Sequence, residues 1–350
     1  GVPTITLSLV LVATVGAQQP ASPDPGRPLT VRVVEDSTLQ PLPNAEVAVP
    51  ALGRRYLTNS RGEIRLSRPA DGSLVIRVRQ IGFRPVTREL AAVPGDTVVV
   101  RLARVAYELP RVVTTADRGC DDAPDPASAA LSARVLEQLR FSAERYELFR
   151  REYPFEVEFG RRSAYADARS DTMRVRDEEE RTNSDAWREP YRPGRVLRRG
   201  AREFSVPILF LSTLADSTFW AHHCFSAPGV EWRDGEPLIL LQFSPTSRIR
   251  TPDWAGVALL DSATSALRRI EFQLTGLKRG NRPRRLEGYT TFAAPSPFIV
   301  VPDPTVAVWW MREPPPDGDW GLPDVGQMLY TRTMKWRKAE PPPTSRTKTP

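Results

Sequence analysis

GVALLDSATSALRRIEFQLTG (256–276) reads as two strands joined by a polar turn, and it decides the architecture of the longer part of the chain. Arg268, Ile270, Phe272 and Leu274 alternate with Leu267, Arg269, Glu271 and Gln273. One face is therefore largely apolar and the other polar, the period-two signature of an antiparallel strand. Asp261-Ser262-Ala263-Thr264-Ser265 supplies the turn. Similar runs surround this hairpin: FEVEFGR (155–161), DTMRVRD (171–177), LILLQFSP (238–245), WAGVALLD (254–261), RLEGYTTFAA (285–294), TVAVWWMR (305–312) and MLYTRTMKW (328–336). They predict a β-rich domain over 153–338. In TVAVWWMR both faces are apolar, which predicts burial on both sides, with Trp309 and Trp310 as core residues.

Nearer the N-terminus a second strand series runs from 29 to 105. LTVRVVED (29–36), AEVAVPAL (45–52), RRYLT, GEIRLS, SLVIRVRQIGF, RPVTREL and DTVVVRLAR are separated by Pro-, Asn- and Gly-marked turns. Turn signals at roughly ten-residue spacing with alternating strands predict a β-sandwich. The 35 prolines in 350 residues support many short strands over a helical bundle. The fold class expected is mainly β: an N-terminal transthyretin- or Ig-like sandwich, one linking helix, and a C-terminal curved antiparallel sheet.

Two resemblances sharpen this reading. Pro41, Leu42, Pro43, Ala45 and Val47, then Thr58, Asn59, Gly62 and Ile64, then Ile81, Gly82 and Phe83 resemble the three motifs of the carboxypeptidase regulatory-like, transthyretin-like domain. Gln40 and Asn44 stand where that family usually has glycines. The resemblance implies a scaffold with a carbohydrate-binding-like fold and no chemistry of its own. The 256–276 hairpin, with FWAHHCF before it and VWWM after it, resembles bacterial periplasmic proteins built on a curved antiparallel sheet, lipoprotein carriers among them.

Between the strand series lies a linker and helix, 106–152. LPRVVTTA is a candidate strand, and Leu131, Val135, Leu139 and Tyr146 recur at helical spacing, with Asp125 and Ser128 as candidate caps. At the N-terminus ITLSLVLVATVGA (5–17) is too short for a membrane span and ends in small residues. It predicts a signal peptide over 1–17 cut between Ala17 and Gln18. Without Met or a basic flank, residues preceding Gly1 are expected. Residues 18–28 and the tail 339–350 read as flexible. Export makes Cys120 and Cys224 a candidate disulfide.

Chemistry is harder to find. A metallocarboxypeptidase needs a His-x-x-Glu pair and a further histidine, and the chain has only His222 and His223. With Cys224 they are a weak metal set, because adjacent residues of a strand point to opposite faces. Asp177-Glu178-Glu179-Glu180 reads as a solvated loop and lacks calcium-loop spacing. No phosphate loop or dinucleotide fingerprint occurs. The net charge of +7 is spread among 42 acids, and of 49 basic residues only Lys278, Lys335, Lys338 and Lys348 are lysine. That skew fits codon bias better than a nucleic-acid surface. The expectation is a non-catalytic, monomeric exported protein (periplasmic, outer-membrane-associated or extracellular) without cofactor or metal. Its sandwich would dock to an envelope protein or glycan. The second expectation is a carrier of a lipid or other apolar ligand, with Trp220, Trp232, Trp254, Trp309 and Trp310 as candidate lining.

Overall fold

The computed structural model of the chain describes residues 28–67, 73–90, 97–105, 126–167, 172–183, 190–199, 204–279, 283–296, 299–311 and 324–338. The apolar run expected as a signal, with Ala17 and Gln18, and LPRVVTTA, Asp125, Cys120 and the tail lie outside these residues. The fold is mainly β and divides into two compact units. The first draws on residues up to 78 and on 85–101; the second takes 79–84 and everything from 102 on. Among the described residues no helix is long and apolar enough to cross a membrane.

The first unit contains β1 (Pro28–Glu35), β2 (Glu46–Val49), β3 (Arg54–Leu57), β4 (Glu63–Ser67), β5 (Val75–Arg79), β6 (Val86–Glu89) and β7 (Thr97–Leu102). They form two sheets, β4-β1-β7 and β3-β2-β5-β6. Leu29, Val31 and Val33, Ile64 and Leu66, Ile76 and Val78, and Val98 and Val100 alternate inward. The TNSRGE stretch is held by local hydrogen bonds. The Thr58 hydroxyl donates to the Leu42 carbonyl (2.6 Å) and accepts from the Ala45 amide (2.8 Å). Asn59 Oδ1 accepts from the amides of Arg61 (2.9 Å) and Glu63 (3.0 Å). Gly62 has φ +71, and a Cβ there would lie 2.5 Å from the Val33 carbonyl oxygen, so only glycine fits.

The second unit opens with α1 (Pro126–Glu152), close to the helix that the periodicity predicts. Leu131, Val135, Leu139 and Tyr146 are all buried on one side of it. Strands β8 (Phe155–Asp167) and β9 (Thr172–Asn183) follow, then the short β10 (Arg198–Arg199) and β11 (Phe204–Ser205), α2 (Leu211–Leu214) and α3 (Ser217–His222). A long meander completes it: β12 (His223–Arg233), β13 (Glu236–Pro245), β14 (Asp253–Asp261), β15 (Leu267–Thr275), β16 (Pro283–Ser296), β17 (Ile299–Met311) and β18 (Asp324–Trp336). One antiparallel sheet runs β12-β13-β14-β15-β16-β17-β18-β8-β9. In the β14–β15 turn the Asp261 carboxylate accepts from the amides of Ala263 (3.0 Å) and Thr264 (2.7 Å) and pairs with Arg268 (2.8 Å).

One row of residues crosses this sheet: Phe243, Gly256, Phe272, Gly288, Ala307, Gln327 and Ser163 stand opposite one another on successive strands. A Cβ on Gly256 would fall 2.0 Å from the Glu271 carbonyl oxygen, and one on Gly288 would fall 2.0 Å from that of Val306. The phenyl rings of Phe243 and Phe272 reach over these two gaps, ending 3.0 Å from the missing Cβ positions. Glycine kinks covered by cross-strand aromatics bend a sheet toward the covered face. Register shifts in the β12–β13, β14–β15 and β16–β17 ladders add local twist. On the inner face Phe210 packs on Tyr146 of α1 (ring centroids 5.2 Å) and on Phe292 of β16 (5.9 Å).

Two expectations are corrected. Asp177–Glu180 is not a loop but the middle of edge strand β9. Its acids pair with arginines of other strands, Asp177 with Arg162 (2.8 Å) and Glu180 with Arg161 of the neighbouring β8, and Glu179 with Arg332 of β18 one strand further. The strand TVAVWWMR is not enclosed on both sides. Trp309 is buried on the Gly288–Ala307 face, whereas Val308 is 39% exposed and Trp310, on the outer face, is half-buried beneath the Arg285 guanidinium (4.7 Å).

If the two glycines set the bend, Gly288→Ala should destabilise the protein by on the order of 2–3 kcal/mol in urea unfolding. Gly326→Ala, whose Cβ would meet nothing nearer than the Ala307 oxygen at 3.5 Å, should change stability by less than about 0.5 kcal/mol. Equal effects would contradict the steric assignment.

Candidate functional site

The second unit encloses a cavity of about 230 Å³. It is lined by Trp254 from β14, Phe159 and Arg161 from β8, Leu329 from β18 and Glu180 from β9. In a flat sheet β14 and β8, five steps apart, would stand roughly 24 Å from each other at about 4.8 Å per step. Both reach one small cavity because the sheet curls. Trp254 shares its strand face with Gly256, so the cavity lies on the side toward which the glycine row bends.

Buried Phe159, Tyr191, Val196, Leu209 and Trp254 form its apolar walls. The remaining lining comes from the 190–198 loop and from Pro207, Ile208 and Thr213. That loop carries Arg192, Arg195 and Arg198, all exposed at the cavity. The Arg195 amide donates to the Arg192 carbonyl (3.1 Å), closing a turn that holds the two arginines together.

A buried carboxylate fastens this loop to the sheet. Asp253, at the start of β14, is fully buried and accepts from the Tyr191 hydroxyl (2.6 Å), the Trp254 amide (2.8 Å) and the Gly194 amide. Burial pushes its carboxyl pKa up, and these donors pull back only part of the rise. Burial and the Asp253 bond likewise push the Tyr191 phenol far above its ordinary value, so it remains a donor. Tyr191 packs edge-on against Phe219 (5.0 Å) and His223 (5.5 Å), and Phe219 stacks on the His223 ring (3.8 Å).

His223 is buried between two carbonyl oxygens, with Nδ1 3.0 Å from Phe219 O and Nε2 3.0 Å from Trp254 O; Asp253 Oδ1 is 3.6 Å from Nε2. A neutral imidazole donates to only one of these two carbonyls. Desolvation outweighs the two carbonyls and lowers the pKa to about 4, so the ring is neutral at pH 7. His222 is exposed, its Nδ1 2.8 Å from Thr218 O, and among the described residues no group of His, Cys, Asp and Glu could hold a metal ion. Cys224 is on β12; its expected partner Cys120 lies outside the described residues.

Of the five tryptophans expected as lining, only Trp254 meets the cavity. Trp220 donates from Nε1 to the Leu214 carbonyl (2.6 Å), and Trp232 is 71% exposed on edge strand β12. Trp309 and Trp310 do not line it, because the first packs elsewhere on the inner face and the second faces outward. Sequence reading missed Tyr191, Asp253 and the arginine loop. The signals available were the Tyr-Arg-Pro-Gly turn at 191–194 and an aspartate set directly before a hydrophobic strand.

Because His223 has a folded pKa near 4 and an unfolded one near 6.5, the unfolded chain takes up this proton first. The ring's contribution is therefore complete above pH 6.5 and is lost as pH falls toward 4, by on the order of 3 kcal/mol in full. Asp253, with its pKa raised, opposes part of this loss as the folded protein takes up its proton. Urea unfolding at pH 7.0 and 4.5 should show wild type losing about 2 kcal/mol more than His223→Gln. Parallel pH profiles for the two proteins would contradict a buried neutral imidazole.

No family model and no curated protein matches the chain. Among solved structures it has a low similarity to a domain from Vibrio parahaemolyticus described as an outer membrane lipoprotein-sorting protein, with TM-score 0.31 and 14% identity over 60% of this chain and 95% of that one. A LolA superfamily protein from Nitrosomonas europaea gives TM-score 0.29 and 13% identity over 61% of this chain and 95% of that one.

Proposed function

We propose that this chain is a non-catalytic exported protein that carries a small amphiphilic molecule in the cavity on the concave face of its nine-stranded sheet. The observation that carries this reading is the composition of the cavity: buried aromatic and aliphatic walls beneath a polar loop fixed in place by Asp253. Ligand sites are concave, mainly apolar and equipped with a few placed polar groups. At about 230 Å³ the space is below the usual range of about 300–1,000 Å³ for drug-sized ligands, so it suits one chain or ring rather than a diacyl lipid.

Export is supported by the apolar run at 5–17, and in the oxidising compartment that it implies we propose that Cys120 and Cys224 are joined. The first unit is proposed as a carboxypeptidase regulatory-like sandwich, since Thr58, Asn59 and Gly62 hold the turn that its motif encodes.

Native mass spectrometry of the protein isolated from periplasmic extract should show a co-purified small molecule, and the emptied protein should take up a fluorescent naphthylamine probe. Ile208→Trp, which fills the cavity from a half-buried position, should weaken probe binding at least about tenfold with an unchanged melting temperature. Neither a co-purified molecule nor probe uptake would overturn the carrier reading.

A further inference from the structure

We propose that the ligand bears an anionic head group, a carboxylate or phosphate, held at the cavity mouth by Arg192 and Arg195; this rests on the reading that the cavity holds a small molecule. Four arginines line the cavity against one glutamate, and that glutamate, Glu180, already pairs with Arg161. Among the described residues neither Arg192 nor Arg195 pairs with a carboxylate. In so arginine-rich a chain an unmatched arginine would mean little alone. On the same sheet, however, Arg162, Arg233, Arg268, Arg269 and Arg285 are each matched to an acid, and Arg284, which among the described residues is not, lines no part of the cavity.

The backbone beneath the two arginines is fixed as well. Tyr191 and Gly194 on either side of Arg192, the latter adjoining Arg195, both donate to buried Asp253, and the 192–195 turn is closed by its own hydrogen bond. The guanidiniums therefore project from an anchored turn rather than from a free loop. Their planar forks match carboxylate and phosphate oxygens, and apolar walls directly behind them would take the chain attached to such a group. An uncharged alcohol of equal chain length would fill the same walls while leaving both guanidiniums to water.

The test compares three probes on the full chain below their micelle concentrations: laurate, dodecyl phosphate and dodecanol. At least one anion should bind about tenfold or more tighter than dodecanol, with the advantage shrinking as salt rises. In the Arg192→Gln/Arg195→Gln protein that advantage should vanish while dodecanol binding stays the same. Whichever anion binds better identifies the head group as carboxylate or phosphate. Equal binding of all three, unaffected by the double substitution, would overturn the head-group assignment and leave the carrier reading standing. Binding of none would overturn the carrier reading and this proposal with it.

Discussion

Gly256 and Gly288 face carbonyl oxygens of neighbouring strands at a separation that leaves no room for a methyl group, and the shape of the second unit follows from that constraint. Phe272 stands between them in the same cross-strand row and covers the gap at Gly288, while Phe243 covers that at Gly256. The sheet closes toward this row. Strands that would be far apart in a flat sheet then share one concave face, which Tyr146 and Phe149 of α1, with Phe210, partly fill. The cavity is the part of that face left open beside the 190–198 loop.

The second determinant is electrostatic. A carboxylate removed from water is costly unless donors surround it, and Asp253 has three. Two of them, the Tyr191 hydroxyl and the Gly194 amide, come from the one loop that carries the arginines. The burial of one acid thus fixes the segment that presents the arginines. Removing the carboxylate would free that loop, whereas removing an arginine would leave the fold as it is. The scaffold and the recognition groups are separate residues on one short stretch.

How much of this was legible in the sequence depends on where the information is stored. Strands with one polar and one apolar face, such as the 256–276 hairpin, are readable because their period is local. The helix is readable for the same reason, from Leu131, Val135, Leu139 and Tyr146. The strand VAVWWM was not, since two apolar faces leave periodicity nothing to choose between; the Gly288–Ala307 pairing decides that Trp309 faces inward. The acid run 177–180 hid a strand because the arginines that Asp177, Glu179 and Glu180 pair with come from β8 and β18, far away along the chain. Tyr191 and Asp253 meet only through the fold. The glycine row lies between these cases: Gly256, Phe272 and Gly288 sit at sixteen-residue intervals, and a glycine inside each of two strand-like runs was the visible sign.

Fluorine NMR of protein labelled with 5-fluorotryptophan and titrated with laurate reports directly where the ligand sits, because only one of the described tryptophans lines the cavity. With resonances assigned by single Trp→Phe substitutions, Trp254 should shift as laurate saturates while Trp232, Trp309 and Trp310 stay in place. Laurate that binds and moves those residues while leaving Trp254 unchanged would contradict a ligand in this cavity.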